Sequence, residues 1–231
     1  MKRHVPNFLT CCNLVCGCLG IVFVLEGRDI PAAYLVWLAG IFDFFDGFAA
    51  RMLGVTSTIG RELDSLADVV SFGVLPSVVM YKMISSSTDS SFIPYVAFSI
   101  AVFSALRLAI FNVDETQRDS FRGLNTPANT LFITALPLLY NEVGRWLYDT
   151  RVLVAITVVF SLLLVSRIEF FALKFRNFTW RDNKLRFTFL ILAVLLLILF
   201  QIAAIPVIII LYIILSLMDN ALTPKKSVRE L

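Results

Sequence analysis

Apolar residues run in long blocks along nearly the whole chain, separated by short polar stretches. A helix that crosses a bilayer needs about 20 mostly apolar residues. Eight blocks approach that length, near residues 8–25, 30–51, 63–83, 92–113, 127–147, 152–172, 187–201 and 204–219. The last two belong to one apolar run of 31 residues, Phe187 to Leu217. As a single helix it would measure about 46 Å, too long for a hydrocarbon core of about 30 Å. Pro206 stands where a second helix would begin, and its missing N–H suits a first turn. Two short helices joined by a tight turn are therefore predicted. No internal repeat, low-complexity tract or soluble domain interrupts the pattern.

Composition agrees with this picture. Of the 231 residues, 58% are hydrophobic and 16% charged, and mean hydropathy is +0.84. Soluble domains run at about 45–50% and about 25%, and a globule this apolar could not cover its surface with polar atoms. A disordered chain, a coiled coil and an ordinary cytosolic enzyme are excluded, leaving an all-α integral membrane protein. The net charge of +3 is small and its carriers are scattered, which argues against a nucleic-acid partner. Their distribution says more. With the N-terminus inside and eight alternating helices, fifteen Lys and Arg residues fall inside. Only Arg28, Lys82, Arg145 and Arg151 fall outside, and Arg107 lies within a helix. Both termini are thus expected in the cytoplasm. The first helix is expected to be retained, because Glu26-Gly27-Arg28-Asp29 is no cleavage site. Cys11, Cys12, Cys16 and Cys18 read as packing residues of that helix, since neighbours so spaced are poorly placed for disulfides.

Most acidic residues fall in loops, but Asp43, Asp46, Asp64 and Asp68 do not. A charge at the centre of a membrane helix costs about 2.5–3.5 kcal/mol and marks a functional site by default. Spacings of three and four place each pair on one helix face, and a short connection makes the two helices antiparallel neighbours. Their ends would gather four carboxylates, which repel unless cations lie among them. All-oxygen ligation selects hard ions such as Mg²⁺ or Mn²⁺. Two such ions about 3.5–4 Å apart would clamp a phosphoryl group. The bland alternative is pairing with Arg51 and Arg61 at the interface. Gly47 leaves room for a ligand to approach the backbone, Ala50 is small on the same side, and Arg51 offers a fork for phosphate oxygens.

Residues 43–68 read DFFDGFAARMLGVTSTIGRELDSLAD. The segment resembles the signature D-x2-D-G-x2-A-R-x8-G-x3-D-x3-D of the CDP-alcohol phosphatidyltransferase family and matches every fixed position. The resemblance implies a six-helix catalytic core over residues 1–172 and a basic, aromatic cytoplasmic loop over 173–186. A C-terminal helix pair with a basic tail would occupy 187–231. It also implies an enzyme of the inner bacterial membrane, acting on CDP-diacylglycerol among membrane lipids, as a homodimer. Asp43, Asp46, Asp64 and Asp68 would hold two divalent ions, Mg²⁺ or Mn²⁺, and Asp68 would act as general base. Gly47 and Arg51 would contact the CDP part, with Ser57 helping to bind the nucleotide. Pro6-Asn7-Phe8-Leu9-Thr10 is similar to the family's P-N-x-L-T stretch, which adds Asn7 and Thr10 to the CDP site. Taken alone, those two residues read equally well as a helix cap and first turn.

The acceptor alcohol is read further along. Leu106-Arg107-Leu108-Ala109-Ile110-Phe111-Asn112 and Phe121-Arg122-Gly123-Leu124-Asn125-Thr126-Pro127-Ala128 resemble the R-L-A-x-F-N and F-x-G-L-P-x-P-A stretches of the family's serine-accepting branch. Asn125 departs from the pattern, standing where proline is usual. The resemblance implies L-serine as acceptor. Arg107, an intramembrane cation, would grip its carboxylate, or would snorkel or pair with the acidic cluster. Asn112 would supply an acceptor group or bond a neighbouring helix. Rival readings keep the chemistry with glycerol 3-phosphate or an inositol phosphate as acceptor, or make the four carboxylates the ion path of a cation transporter. The aromatic, basic loop from Arg167 to Arg186 fits an aromatic belt with positive-inside bias, and alternatively attraction to anionic lipid.

Overall fold

Each of the first two helices stops where a glycine can turn left-handed. In the computed structural model, α1 (Val5–Glu26) ends at Gly27 (φ 66°) and α2 (Ala32–Leu53) at Gly54 (φ 62°). The next amides close the caps, Arg28 N–H to the Phe23 carbonyl and Val55 N–H to the Ala50 carbonyl. Ser57 starts α3 (Thr58–Asp68), its Oγ accepting from the Gly60 amide at 2.9 Å. The structure describes residues 4–28, 31–55, 57–113, 120–139, 144–171, 173 and 179–222. Lys2, Arg3, Arg118, Lys174, Arg176 and the basic tail therefore lie outside the described residues.

Beyond Asp68 the helix does not break. It widens into a π-helical turn, Val69–Val74, and continues as α4 (Leu75–Ser87). A 3₁₀ stretch, Ile93–Phe98, leads into α5 (Ser99–Val113). Then come β1 (Ser120–Arg122) and α6 (Thr126–Ala135), the latter prolonged by a 3₁₀ turn to Leu139. Asn125 explains its own departure from the proline pattern: its Oδ1 caps α6, accepting from the Ala128 amide at 2.7 Å. The remaining elements are α7 (Thr150–Leu164), β2 (Glu169–Phe171), α8 (Lys184–Phe200) and α9 (Ala204–Leu222).

Among the described residues, Val5–Glu26, Ala32–Leu53, Thr58–Ser87, Ile93–Val113 and Lys184–Leu222 are long and apolar enough to cross a membrane. Thr126–Leu139 and Thr150–Leu164 are apolar but shorter. Large apolar side chains face outward, Ile198 at 73% exposure among them. The molecule is an all-α integral membrane protein with one small ribbon. The final stretch folds back on itself at Gln201 (φ 50°), and the Phe189 and Tyr212 rings lie 5.7 Å apart across the resulting hairpin. The two short helices read from the sequence are present.

Two expected helices are too long in the sequence reading. The fifth is broken before 147, where Gly144 (φ 86°) opens a separate 3₁₀ turn, Arg145–Tyr148, and the sixth ends at Leu164 instead of 172. The last turn of α7 is closed by other chain segments. The Leu163 carbonyl accepts from the amides of Leu124 (2.9 Å) and Ser166 (3.3 Å). The chain then enters β2, antiparallel to β1, with Arg122 opposite Glu169 and Ser120 opposite Phe171.

The core that carries the site is a seam of small residues. On α1 the buried positions Pro6, Thr10, Asn13, Gly17 and Gly20 recur at steps of four and three, so they form one stripe. A Cβ on Gly17 would collide with Ser71 Oγ and lie 2.9 Å from Ser71 Cα. One on Gly20 would lie 2.6 Å from Leu75 Cδ2. Helices in lipid associate through such close backbone approach, and here it presses α1 against the π-helical turn.

Candidate active site

The buried stripe of α2 begins Ala32, Val36, Ala39 and reaches Asp46. Asp43 occupies the intervening step of the same stripe. The face that packs against α1 with alanines in one half therefore carries carboxylates in the other. On α3, Asp64 and Asp68 share a face with Ser71 of the π-helical turn, whose Oγ donates to the Asn13 carbonyl at 3.0 Å. Asp43, Asp64 and Asp68 each present one carboxylate oxygen within 4.8 Å of the others. Asp46 stands beside this triad, its Oδ2 accepting from Thr10 Oγ1 at 2.5 Å.

Asn13, which sequence reasoning missed, donates from Nδ2 to Asp68 Oδ1 at 3.1 Å. An asparagine inside an apolar helix, three residues after Thr10, was the available signal. One oxygen of Asp64 is buried with no hydrogen-bond partner. Among the described residues, no aspartate of the four forms an ion pair. Arg61 pairs instead with Glu62 at 3.7 Å. The alternative in which Arg51 and Arg61 neutralise the cluster is thus overturned. An all-oxygen donor set with an unsatisfied oxygen fits hard divalent cations.

Against the cluster lies an open cleft of about 480 Å³, lined by Asn7, Thr10, Asp46, Gly47, Ser57 and Arg61 among others. Gly60 keeps it open, since a Cβ there would lie 2.9 Å from Ser57 Oγ and 3.2 Å from Asn7 Oδ1. Most of the expected CDP-site residues, Asn7, Thr10, Gly47 and Ser57, therefore converge on one cavity. Asn7 is not a helix cap, because α1 begins at Val5 and its capping position is His4. Arg51 is exposed and folds over Gly47, where an added Cβ would lie 3.4 Å from Arg51 Nη1. Arg61 is the arginine on the cleft wall, which sequence reasoning offered only as a partner for the aspartates.

The two acceptor candidates lie on α5. Asn112 donates to Ser65 Oγ of α3 at 2.8 Å, the helix-bonding alternative. Arg107 is 7% exposed and its Nε has no partner. It does not snorkel. It lines a second cavity of about 220 Å³ together with Arg122, Ser166 and Arg167. Arg122 and Arg167 were counted in the sequence only as inside charges, because nothing local shows that the β1–β2 ribbon turns them toward Arg107.

Comparison with known proteins places this geometry. A model of the family described as CDP-alcohol phosphatidyltransferase matches residues 3–163. A protein of Bacillus subtilis (strain 168) named CDP-diacylglycerol–serine O-phosphatidyltransferase is 35% identical over 174 residues, covering 73% of this chain and 90% of that protein. Proteins of the same name from Mycobacterium leprae (strain TN) and Methanocaldococcus jannaschii are 37% and 32% identical. They match 71% and 72% of this chain, and 57% and 73% of their own lengths. The matched span contains the four aspartates, the cleft and Arg107, and it establishes that the chain belongs to the CDP-alcohol phosphatidyltransferase family.

Proposed function

We propose that this protein transfers the phosphatidyl group of CDP-diacylglycerol to the hydroxyl of L-serine, giving phosphatidylserine and CMP. The observation that carries the reading is the carboxylate triad of Asp43, Asp64 and Asp68 standing beside a cleft that Asp64 and the neighbouring Asp46 line. Transport of cations needs no such cavity. The serine preference is supported by the relatives' names and by the buried guanidinium of Arg107 with its unpartnered Nε.

Asp43, Asp46, Asp64 and Asp68 would hold two divalent ions, Mg²⁺ or Mn²⁺. When bound, such ions neutralise pyrophosphate charge and stabilise a departing phosphate. The residues of the chain do the rest. Asn7, Thr10, Gly47, Arg51 and Ser57 bind the CDP part, and the N-terminal amides of α3 favour its phosphates. Asp68 takes the proton of the serine hydroxyl. The donation from Asn13 to Oδ1 fixes its carboxylate and leaves Oδ2 for that proton. The serine oxygen bonds to the phosphorus that carries diacylglycerol, the bond from that phosphorus to the CMP oxygen breaks, and CMP leaves. Arg107 holds the serine carboxylate. Residues 1–172 form this catalytic unit, and it faces the cytoplasm, where serine is available.

A phosphate-bearing acceptor is the second reading, favoured by the three guanidiniums around the 220 Å³ cavity. An acceptor panel decides between them. Purified protein is given CDP-diacylglycerol with serine, glycerol 3-phosphate or inositol phosphate, and CMP release is measured with chelation and with Mg²⁺ or Mn²⁺ restored. Serine-dependent release that chelation abolishes and metal restores is expected. Release with glycerol 3-phosphate but not serine replaces the reading with the second one.

A further inference from the structure

The family match ends at residue 163. The helix hairpin α8–α9 lies entirely beyond it, yet α9 is bonded to the ribbon that borders the arginine cavity. In a two-stranded antiparallel ribbon, one edge of each strand faces the partner and the other is open. Carbonyls two residues apart share an edge. On β2, the carbonyls of Glu169 and Phe171 form such a pair. Asn220 Nδ2 donates to the Glu169 carbonyl at 2.6 Å, and the Tyr212 hydroxyl donates to the Phe171 carbonyl at 3.0 Å. Both donors come from α9, and together they serve the open edge of β2.

The rings repeat the attachment. Tyr212 stacks edge-on against Phe171 at 4.9 Å and lies 5.6 Å from Phe170. Tyr212, Ser216 and Asn220 are spaced four apart on a helix that is apolar but for these and Asp219, so one polar stripe turns inward. An isolated two-stranded ribbon is marginally stable in water and needs packing to hold its shape. The ribbon's shape matters because Arg122 closes β1 opposite Glu169 and Arg167 precedes β2. Both line the cavity with Arg107.

We propose that Tyr212 and Asn220 of α9 are positioning residues for the acceptor: by holding the open edge of β2 they keep Arg122 and Arg167 gathered with Arg107 around the serine carboxylate. This rests on the reading of that cavity as the carboxylate site. The C-terminal hairpin is then part of acceptor recognition while touching neither the nucleotide cleft nor the four aspartates.

The test measures steady-state CMP release by the purified full chain, varying serine and CDP-diacylglycerol separately. Two sets of variants are compared. Tyr212→Phe, Asn220→Ala and their combination remove the donors. Arg122→Ala and Arg167→Ala remove the cavity wall. The expected result for the first set is a rise in KM for serine of at least fivefold, with kcat at saturating serine and KM for CDP-diacylglycerol within twofold of the parent. The arginine variants should raise KM for serine as well. If the arginine variants raise it and the donor variants do not, the positioning role is overturned and the carboxylate site stands. If the arginine variants leave it unchanged, the carboxylate site itself falls, and the inference with it. A parallel loss of kcat and of affinity for both substrates marks α9 as merely structural and overturns the proposal. Should the double variant fail to fold, Tyr212→Phe alone decides, because phenylalanine keeps the ring contacts and loses only the hydroxyl.

Discussion

The acidic cleft and the arginine cavity sit at the same end of the helical bundle and are built in opposite ways. The cleft takes nearly all its polar groups from two helices joined by a short link and from the start of α1. Its carboxylates continue stripes that already pack, and rigid helices hold them. The cavity draws on positions 107, 122, 166 and 167, which come from a helix, a strand and a turn. Those groups meet only because a short ribbon pairs and is covered by α9. A site on helices can carry like charges close together, because the backbone does not yield when they repel. A site on a ribbon depends on whatever secures the ribbon.

Substitutions at four positions test that contrast, beginning with the strongest. Asp68→Asn keeps the size and most of the packing of the side chain but removes the proton acceptor. General-base catalysis contributes about 10²–10⁴-fold, so CMP release should fall by that factor with the thermal unfolding midpoint nearly unchanged. Full activity would show that the cleft works without this base. Arg107→Ala acts on the other site. A hydrogen bond to a charged group is worth about 1.5–3 kcal/mol, so KM for serine should rise about ten- to hundredfold while KM for CDP-diacylglycerol stays put. Arg107→Lys should fall between, since lysine keeps the charge without the planar fork. An equal rise in both KM values would mean that the two sites are not separate.

Gly17→Val probes the seam beneath the cleft. The added side chain meets the backbone of Ser71, and overpacking of this kind costs about 1–3 kcal/mol. A lower unfolding midpoint should come with a partial loss of kcat, because Asn13 and Asp68 sit on the two surfaces being pushed apart. Ser57→Ala should have the smallest effect, the loss of one helix cap, about 1 kcal/mol or less at a solvent-accessible position. Affinity for CDP-diacylglycerol separates the two roles of Ser57. An unchanged KM leaves it as a cap alone, and a raised one adds the nucleotide contact.

Much of this was legible in the sequence, for reasons that differ by region. The helical membrane class followed from apolar blocks that no soluble surface could hide. The hairpin of α8 and α9 followed from a run too long for one span and a proline in the right place. Spacings of three and four on helices joined by a short link predicted four gathered carboxylates, and three of them, Asp43, Asp64 and Asp68, form the triad. What stayed hidden depends on contacts between distant segments. Asp46 stands beside the triad, one of its oxygens taken by Thr10 of another helix. The sixth helix ended early where the Leu124 amide closes its last turn on the Leu163 carbonyl, a contact with no local trace. Asn13 and Tyr212 were visible as polar residues in apolar helices, but their partners, Asp68 and the Phe171 carbonyl, lie 55 and 41 positions away.

The widened turn at Val69–Val74 has a consequence for how this helix tolerates change. A π-helical turn holds one more residue than the α-helical turn it replaces, and each residue in an α-helix rotates the axis by about 100°. The extra residue is taken up within the turn, so Asp64 and Asp68 before it keep facing the carboxylate cluster while Leu75 to Ile84 after it face the core. Deleting a single residue within the turn should therefore close it to regular winding with both halves still aimed as before. The same deletion in the regular helix on either side would swing one half by about 100° and be far more damaging.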